Sequence, residues 1–328
     1  MAGRALFMRK VMALLSDPMI ILLVIVTVLA LAMPVTGETR AAMQQAANVA
    51  IFVLFLVNGI RVPRGEILRG LANWRFFLPL TVFVFGIMAL AGLGLSHAAS
   101  GVLPPLIALG FLFLGTLPST IQSATSYTTL AGGNVALSVI GAALLNVIGV
   151  VVSAPLFALL GGGEAAADLS SVIVKIGLIL LLPFVIGQVI QMRFRPWVVE
   201  HKSQVVWLDR FVIALAVFVA MSGAAEQGIV ERLDGATWLT LLAFVIAYLL
   251  VANLGAWSFG GLLGLARQDR ISFLFAASQK SVAVGAPMAA ILFPPNVAGF
   301  VIAPVLLYHL LQLMLAAPLA NWLAAHPR

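Results

Sequence analysis

The chain of 328 residues is 62% hydrophobic and 9% charged, with a formal net charge of +7 and a mean hydropathy of +1.14. This balance excludes a soluble globule and describes an all-α polytopic membrane protein, because only lipid-facing helices need so much apolar surface for so few charges. The absence of cysteine excludes disulfides, thiolate metal sites and thiol chemistry. Basic residues are not interleaved with aromatic ones, so nucleic acid is not an expected partner.

In chain order, MAGRALFMRKVMALLSDP reads as a short cytoplasmic amphipathic lead into a retained first span, since no small-residue cleavage signal follows its basic residues. Apolar windows of about the ~20 residues that a bilayer core requires then predict ten transmembrane helices. They lie at 17–34, 42–60, 74–95, 104–130, 134–160, 171–192, 208–227, 237–263, 270–293 and 297–323. The fourth holds the polar stretch LPSTIQS (117–123) and the ninth holds SQKSVAVG (278–285). These two are the least suited to run as continuous helices.

With the N-terminus inside, the inner segments carry fourteen Lys and Arg residues: Arg4, Arg9, Lys10, Arg61, Arg64, Arg69, Arg75, Arg193, Arg195, Lys202, Arg210, Arg267, Arg270 and Arg328. The outer segments carry only Arg40 and Arg232, while Lys175 and Lys280 fall within spans. Positive charge gathers on the cytoplasmic side, so the bias predicts a multi-pass protein of the inner (plasma) membrane with both termini cytoplasmic.

Sliding the chain against itself by 162 residues aligns Phe111-Leu112-Phe113 with Phe273-Leu274-Phe275, and Asn134-Val135-Ala136 with Asn296-Val297-Ala298. After a one-residue slip, Ala154-Pro155-Leu156 meets Ala317-Pro318-Leu319. A common register points to two five-helix halves, residues 1–160 and 161–328. Because five is odd, the halves lie upside down relative to each other. The same offset pairs Pro118 with Lys280 and Ser119 with Ser281, making the two polar stretches equivalent. Inverted repeats with one interrupted helix apiece are a transporter signature, in which unwound carbonyls and half-helix N-termini meet near the midplane and hold ions or substrate.

Lys280 carries the sharpest chemistry. An ammonium in the middle of a lipid-facing helix costs at least ~2.5 kcal/mol, so it should face a cavity, find partners or lose its proton. All eleven acidic residues map to loops or span ends, leaving backbone carbonyls or an anionic substrate as its partners. Lys175, a few residues inside its span, can snorkel to the interface instead. The other polar side chains in the crossing helices and those that follow them are Thr120, Gln122, Ser123, Ser138, Asn146, Gln279, Ser281, Tyr308, His309 and Gln312. A single hydroxyl in such a helix usually bonds back to its own turn. Asn146 and His309, related by the offset with its slip, are harder to hide in lipid and join the candidate site, although a lone His can equally be a satisfied interhelical donor. Pro118 and Pro287 remove backbone donors and are candidate helix breakers, although proline kinks also occur where there is no site. No phosphate loop, GxSxG or HExxH is present, and four scattered His form no metal cluster, so the chain is not expected to be an enzyme.

At FLFLGTLPSTIQS with GGNVALSV (111–138), DRISFLFAASQKSVAVGAPMA (269–289) and PVLLYHLLQLM (304–314), the chain resembles the bile-acid:sodium symporter superfamily. It is most similar to the bacterial SBF-like branch, which also resembles the seventh human member of solute carrier family ten. The resemblance implies a panel domain of helices 1, 2, 6 and 7 and a core domain of helices 3–5 and 8–10, with helices 4 and 9 broken and crossing. Of the residues that coordinate sodium in such carriers, Ser123, Ser138, Gln279 and Ser281 are retained. Ala124 replaces an asparagine, Phe275 the glutamate, Lys280 a second asparagine, and Thr81 corresponds to a glutamine on helix 3. The expected function is secondary active transport of a small organic anion or amphipathic acid, without a resident cofactor and with Na+ or H+ as coupling ion. On this basis the Lys280 ammonium stands in for a coupling cation, and protons couple through it if it deprotonates. The alternative is a non-transporting membrane regulatory protein on the same scaffold, favoured by loss of the glutamate and opposed by the retained Ser123, Ser138, Gln279 and Ser281.

Overall fold

The computed structural model describes residues 18–65, 72–161, 174, 177–229 and 234–326. The elements are α1 (Pro18–Ala32), α2 (Gly37–Arg61), α3 (Trp74–Ala99), α4 (Pro105–Thr116), α5 (Ile121–Leu130) and α6 (Val135–Gly161), then α7 (Gly177–Glu200), α8 (Lys202–Glu226), α9 (Gly235–Leu262), α10 (Arg267–Ser278), α11 (Val282–Leu292) and α12 (Pro295–Ala325). Local chemistry sets several of these ends. Pro105 and Pro295 open α4 and α12, where a missing N–H costs nothing. Asp234 caps α9 by accepting from the Thr237 hydroxyl at 2.6 Å and the Thr237 N–H at 2.8 Å, and these bonds hold its carboxyl below the usual carboxylate range.

Among the described residues, seven helices are long and apolar enough to cross a bilayer: α2, α3, α6, α7, α8, α9 and α12. The expected fourth span is two helices, α4 and α5, bent by 65° across a short break. The expected ninth span divides into α10 and α11, of 12 and 11 residues. The first is a 15-residue apolar helix, shorter than the ~20 residues of an untilted crossing. The sixth and seventh were expected at 171–192 and 208–227, yet α7 runs on to Glu200 and α8 starts at Lys202. Hydropathy ends a span at its first charges, whereas Arg and Lys continue a helix readily once it leaves the lipid. Lys175 lies outside the described residues.

α8 is the hub of the packing. It lies against α1 and α2 on one side and against α11 and α12 on the other, while α2 packs along α7. α4 is held by α3, α6 and α12. Two ion pairs fix α2 antiparallel to α8, since Arg40 pairs with Glu226 at one end and Arg61 with Asp209, at 2.8 Å, at the other. The exposure of α8 is uneven along its length. Residues 212–224 are buried apart from half-buried positions 215 and 218, whereas most of 202–211 is exposed or half-buried.

Small residues let backbones approach where helices have no hydrophobic drive to associate in lipid. A Cβ on Gly59 would stand 2.2 Å from Phe184 O, and one on Gly187 2.2 Å from Leu56 O, so α2 and α7 meet glycine to glycine. Beside this contact the Gln188 amide donates to Gly59 O at 2.6 Å and to Val62 O at 3.0 Å, satisfying carbonyls at the end of α2. A Gly187→Ala protein is expected to lose about 1–3 kcal/mol to overpacking, seen as a lower Tm of the purified protein in detergent. Gly94→Ala, where a Cβ meets nothing within 4 Å, is expected to leave Tm unchanged or to raise it.

Candidate functional site

The site begins with a proline. Pro118 bars the α conformation from the residue before it, and Leu117 is extended at φ −74°, ψ 145°, which ends α4 at Thr116. The last carbonyls of α4 thereby lose their helical partners. On the other chain segment, Gln279 is extended at φ −77°, ψ 135° after α10, and Ser281 caps α11 by accepting from Val284 N–H at 3.3 Å. The two breaks cross and bond to each other: Ser281 N–H donates to Pro118 O at 3.0 Å, and the Thr120 hydroxyl donates to Lys280 O at 3.0 Å.

Lys280 lies at this crossing with 1% of its surface exposed. Its Nζ donates to Gly115 O at 3.0 Å and to Leu117 O at 2.8 Å. Both acceptors belong to the end of α4, where the helix macrodipole is negative. Two charge-assisted bonds at about 1.5–3 kcal/mol each are large enough to offset a burial cost that starts near ~2.5 kcal/mol. Gly115 serves twice, because a Cβ there would stand 2.8 Å from Met88 O of α3.

Side chains of α12 and α6 hold the two breaks from behind. The Gln312 amide accepts from Lys280 N–H at 2.7 Å and donates to Lys280 O at 3.0 Å, closing a two-bond ring on the residue in the break. The Tyr308 hydroxyl donates to Ser278 O at 2.7 Å. On the first break, the Asn146 amide donates to Ser119 O at 2.8 Å and to Ala142 O at 2.7 Å. Four buried side-chain oxygens around the breaks have no hydrogen-bond partner: Ser119 Oγ, Ser123 Oγ, Ser278 Oγ and Gln279 Oε1.

Lys280, Gln279, Ser281, Asn146 and His309 are thus brought into or directly behind the crossing, His309 through a 2.8 Å contact between its Nδ1 and Gln312 Nε2. Ser123 is buried on α5 three residues past the break. Other candidates stand apart. Gln122 is exposed. Ser138 accepts from the Thr128 hydroxyl at 3.1 Å near the far end of α5. Thr81 is bonded back to Phe77 O at 2.8 Å on α3. Of the two expected helix breakers, Pro118 lies in a break, whereas Pro287 lies inside α11, six residues past Ser281, the last residue of its segment's break. A proline within the second turn of a short helix removes one bond and is tolerated without ending it.

Gln312 and Tyr308 contact the break more directly than most candidates, and the signal was their spacing, since Gln312 is three residues from His309 on one face of α12. Gly115 could not be found from side chains, because it contributes a carbonyl. The donors here do not fit a sodium site of the carboxylate type. Phe275, at the position of the expected glutamate, is fully buried with its ring 5.9 Å from that of Tyr127, and Lys280 Nζ already occupies the carbonyls of Gly115 and Leu117.

A family profile for SBF-like CPA transporters matches residues 17–325. The chain belongs to the SBF-like CPA transporter family. A putative symporter of Escherichia coli, YfeH, is 33% identical over 311 residues, covering 93% of this chain and 92% of its own. An uncharacterized protein of Pseudomonas aeruginosa is 34% identical, with 94% and 92% covered. The mouse sodium/bile acid cotransporter 7 is 21% identical over 288 residues, with 85% and 84% covered. Membership makes this a multi-pass membrane transporter, and its helices are consistent with that class.

Within this SBF-like chain, Gln312→Leu leaves the Lys280 N–H buried without a partner, at about 1–3 kcal/mol, and takes one of two donors from Lys280 O, which keeps the Thr120 hydroxyl. A clearly lowered Tm of the purified protein is the expected result, whereas Gln122→Leu at the exposed position should stay within about 0.5 kcal/mol of the parent.

Proposed function

We propose that this protein is a secondary transporter of a small organic anion or amphipathic acid that works by alternating access, with the Lys280 ammonium standing where a coupling cation would otherwise sit. The observation that carries the proposal is the pair of bonds from Lys280 Nζ to Gly115 O and Leu117 O at the crossing of two broken helices. A fixed positive charge beside the N-termini of α5 and α11 gives a local field that favours an anion. A tethered cation needs no sodium, and proton exchange at Nζ supplies the step that ion binding and release would supply.

The architecture we propose for this function has ten spans in two inverted halves of five. Support comes from the matched positions of the two breaks under the 162-residue offset, and from Asn146 and the His309–Gln312 pair holding one break each. The panel would be α1, α2, α7 and α8, the core the remaining helices. Placement in the plasma membrane with cytoplasmic termini is supported by the charge bias and by the ion pairs, each of which joins residues assigned to one side: Arg40 and Glu226 outside, Arg61 and Asp209 inside.

The moving seam would lie between α8 and α12. At its outer end a Cβ on Gly223 would stand 2.0 Å from Pro295 O, and one on Gly299 2.4 Å from Ala220 O, leaving no room between the helices. The Gln44 amide adds a bond from α2 to Ala290 O of α11 at 3.1 Å. These close contacts at the outer end support a conformer closed on that side.

Proteoliposomes are expected to take up organic anions from a screened panel when a proton gradient is imposed, with no change when sodium is replaced by potassium. Lys280→Ala should slow that uptake by about tenfold or more, the equivalent of losing one net hydrogen bond to a charge. Uptake by the Lys280→Ala protein at an unchanged rate and pH profile, or strict dependence on a sodium gradient, would overturn the proposal.

A further inference from the structure

The hydrogen bonds behind Lys280 fix the protonation state of a histidine. Gln312 faces a donor, Lys280 N–H, and an acceptor, Lys280 O, so its amide can be oriented in one way only, with Oε1 toward the first and Nε2 toward the second. The remaining hydrogen on Nε2 points to His309 Nδ1, 2.8 Å away. An amide nitrogen only donates, so Nδ1 must accept. The imidazole is therefore the neutral tautomer with its proton on Nε2.

We propose that His309 is a proton-responsive positioning residue of the crossing, acting on Lys280 through the Gln312 amide. Protonation at Nδ1 sets an N–H against the N–H of Gln312. The amide must then turn away, and turning breaks both of its bonds to the Lys280 backbone at once. One proton on α12 thus loosens the break that carries the ammonium. The proposal rests on the transport reading above, because it gives that reading's proton step a second exchanging group one amide removed from Lys280.

The charged and titratable neighbours are few. On the elements packed against α12, α4 and α11 bring none. α5 brings Tyr127, whose hydroxyl donates to Leu313 O at 3.1 Å, and α9 brings Tyr248, whose ring lies 5.6 Å from that of Tyr308 and whose hydroxyl donates to Met88 O at 2.7 Å. α8 carries Lys202, Asp209, Arg210 and Glu226, with both carboxylates committed to Arg61 and Arg40. Arg267 of α10 donates to Leu323 O and His326 O at the far end of α12, each at 2.6 Å, and Lys280 lies in the break; the carboxylates of α8 are both already paired.

The test needs neither substrate nor uptake. Histidine-selective 15N NMR of the purified full-length protein, with His309 assigned by its loss in His309→Asn, is expected to show a neutral ring with Nδ1 unprotonated at about pH 8, above the usual histidine range. The chain lacks cysteine, so Ser119→Cys is a single reporter within the first break, fully buried and with no partner on its oxygen in the parent. Its maleimide labelling rate between about pH 8 and about pH 5.5 is compared with the same reporter carrying His309→Asn. The Asn Oδ1 keeps an acceptor near the Nδ1 position and cannot be protonated, and the thiol's own titration cancels in the ratio. The expected result is labelling relatively faster by about thirtyfold at the acid end with His309, the equivalent of two lost bonds of about 1 kcal/mol each. An unchanged ratio overturns the proposal, as does a proton on Nδ1 at about pH 8. Should His309→Asn fail to fold, NMR of the parent against a Gln312→Leu protein decides instead: the Nδ1 resonance must shift when its donor is removed, and a resonance that stays put sinks the idea. Failure of the transport reading would appear in uptake by Lys280→Ala and would leave both of these measurements untouched.

Discussion

The constraint from which the rest follows is that a broken helix inside a bilayer exposes carbonyls that water cannot reach. At the end of α4 the protein answers it with the Lys280 ammonium, which bonds Gly115 O and Leu117 O. Either partner alone would be costly, since an unpaired lysine and orphaned carbonyls are each disfavoured in a low-dielectric interior. Together they satisfy each other. Gly115 must also be small for α3 to pass, and Lys280 must itself be non-helical to reach across, so the break, the close approach and the charge belong to one solution.

Much of this was legible in the chain because the physics involved is local. Pro118 dictates an extended Leu117, the isolation of Lys280 from every carboxylate demands other partners, and the 162-residue offset brings the two polar stretches into correspondence. What escaped was set by direction and distance. Gln122 and Ser123 are adjacent in sequence, yet one is exposed and the other buried, because neighbouring helical positions point about a hundred degrees apart. Pro287 looked like a helix breaker, and a short helix simply absorbed it. Thr81 and Ser138 found partners on their own or adjoining helices, an outcome open to any hydroxyl and encoded by none.

Two kinds of contact hold these helices together. The breaks are tied to each other through Ser281 N–H and Pro118 O and to their backing helices through Asn146 and Gln312, a dense set of bonds in which no half-helix can shift alone. Between α8 and α12 the tight contacts are of glycine against backbone, with little directional bonding to break. In the proposed transport cycle, a surface of that kind is where one group of helices would part from the other, beside the crossing rather than through it.

A cation that diffuses in from solution stabilises its site by an amount that rises with its concentration. The ammonium of Lys280 arrives on a four-carbon stem, and its effective concentration at the Gly115 and Leu117 carbonyls is set by covalent geometry. The integrity of this crossing is therefore indifferent to whether the surrounding medium is rich or poor in salt.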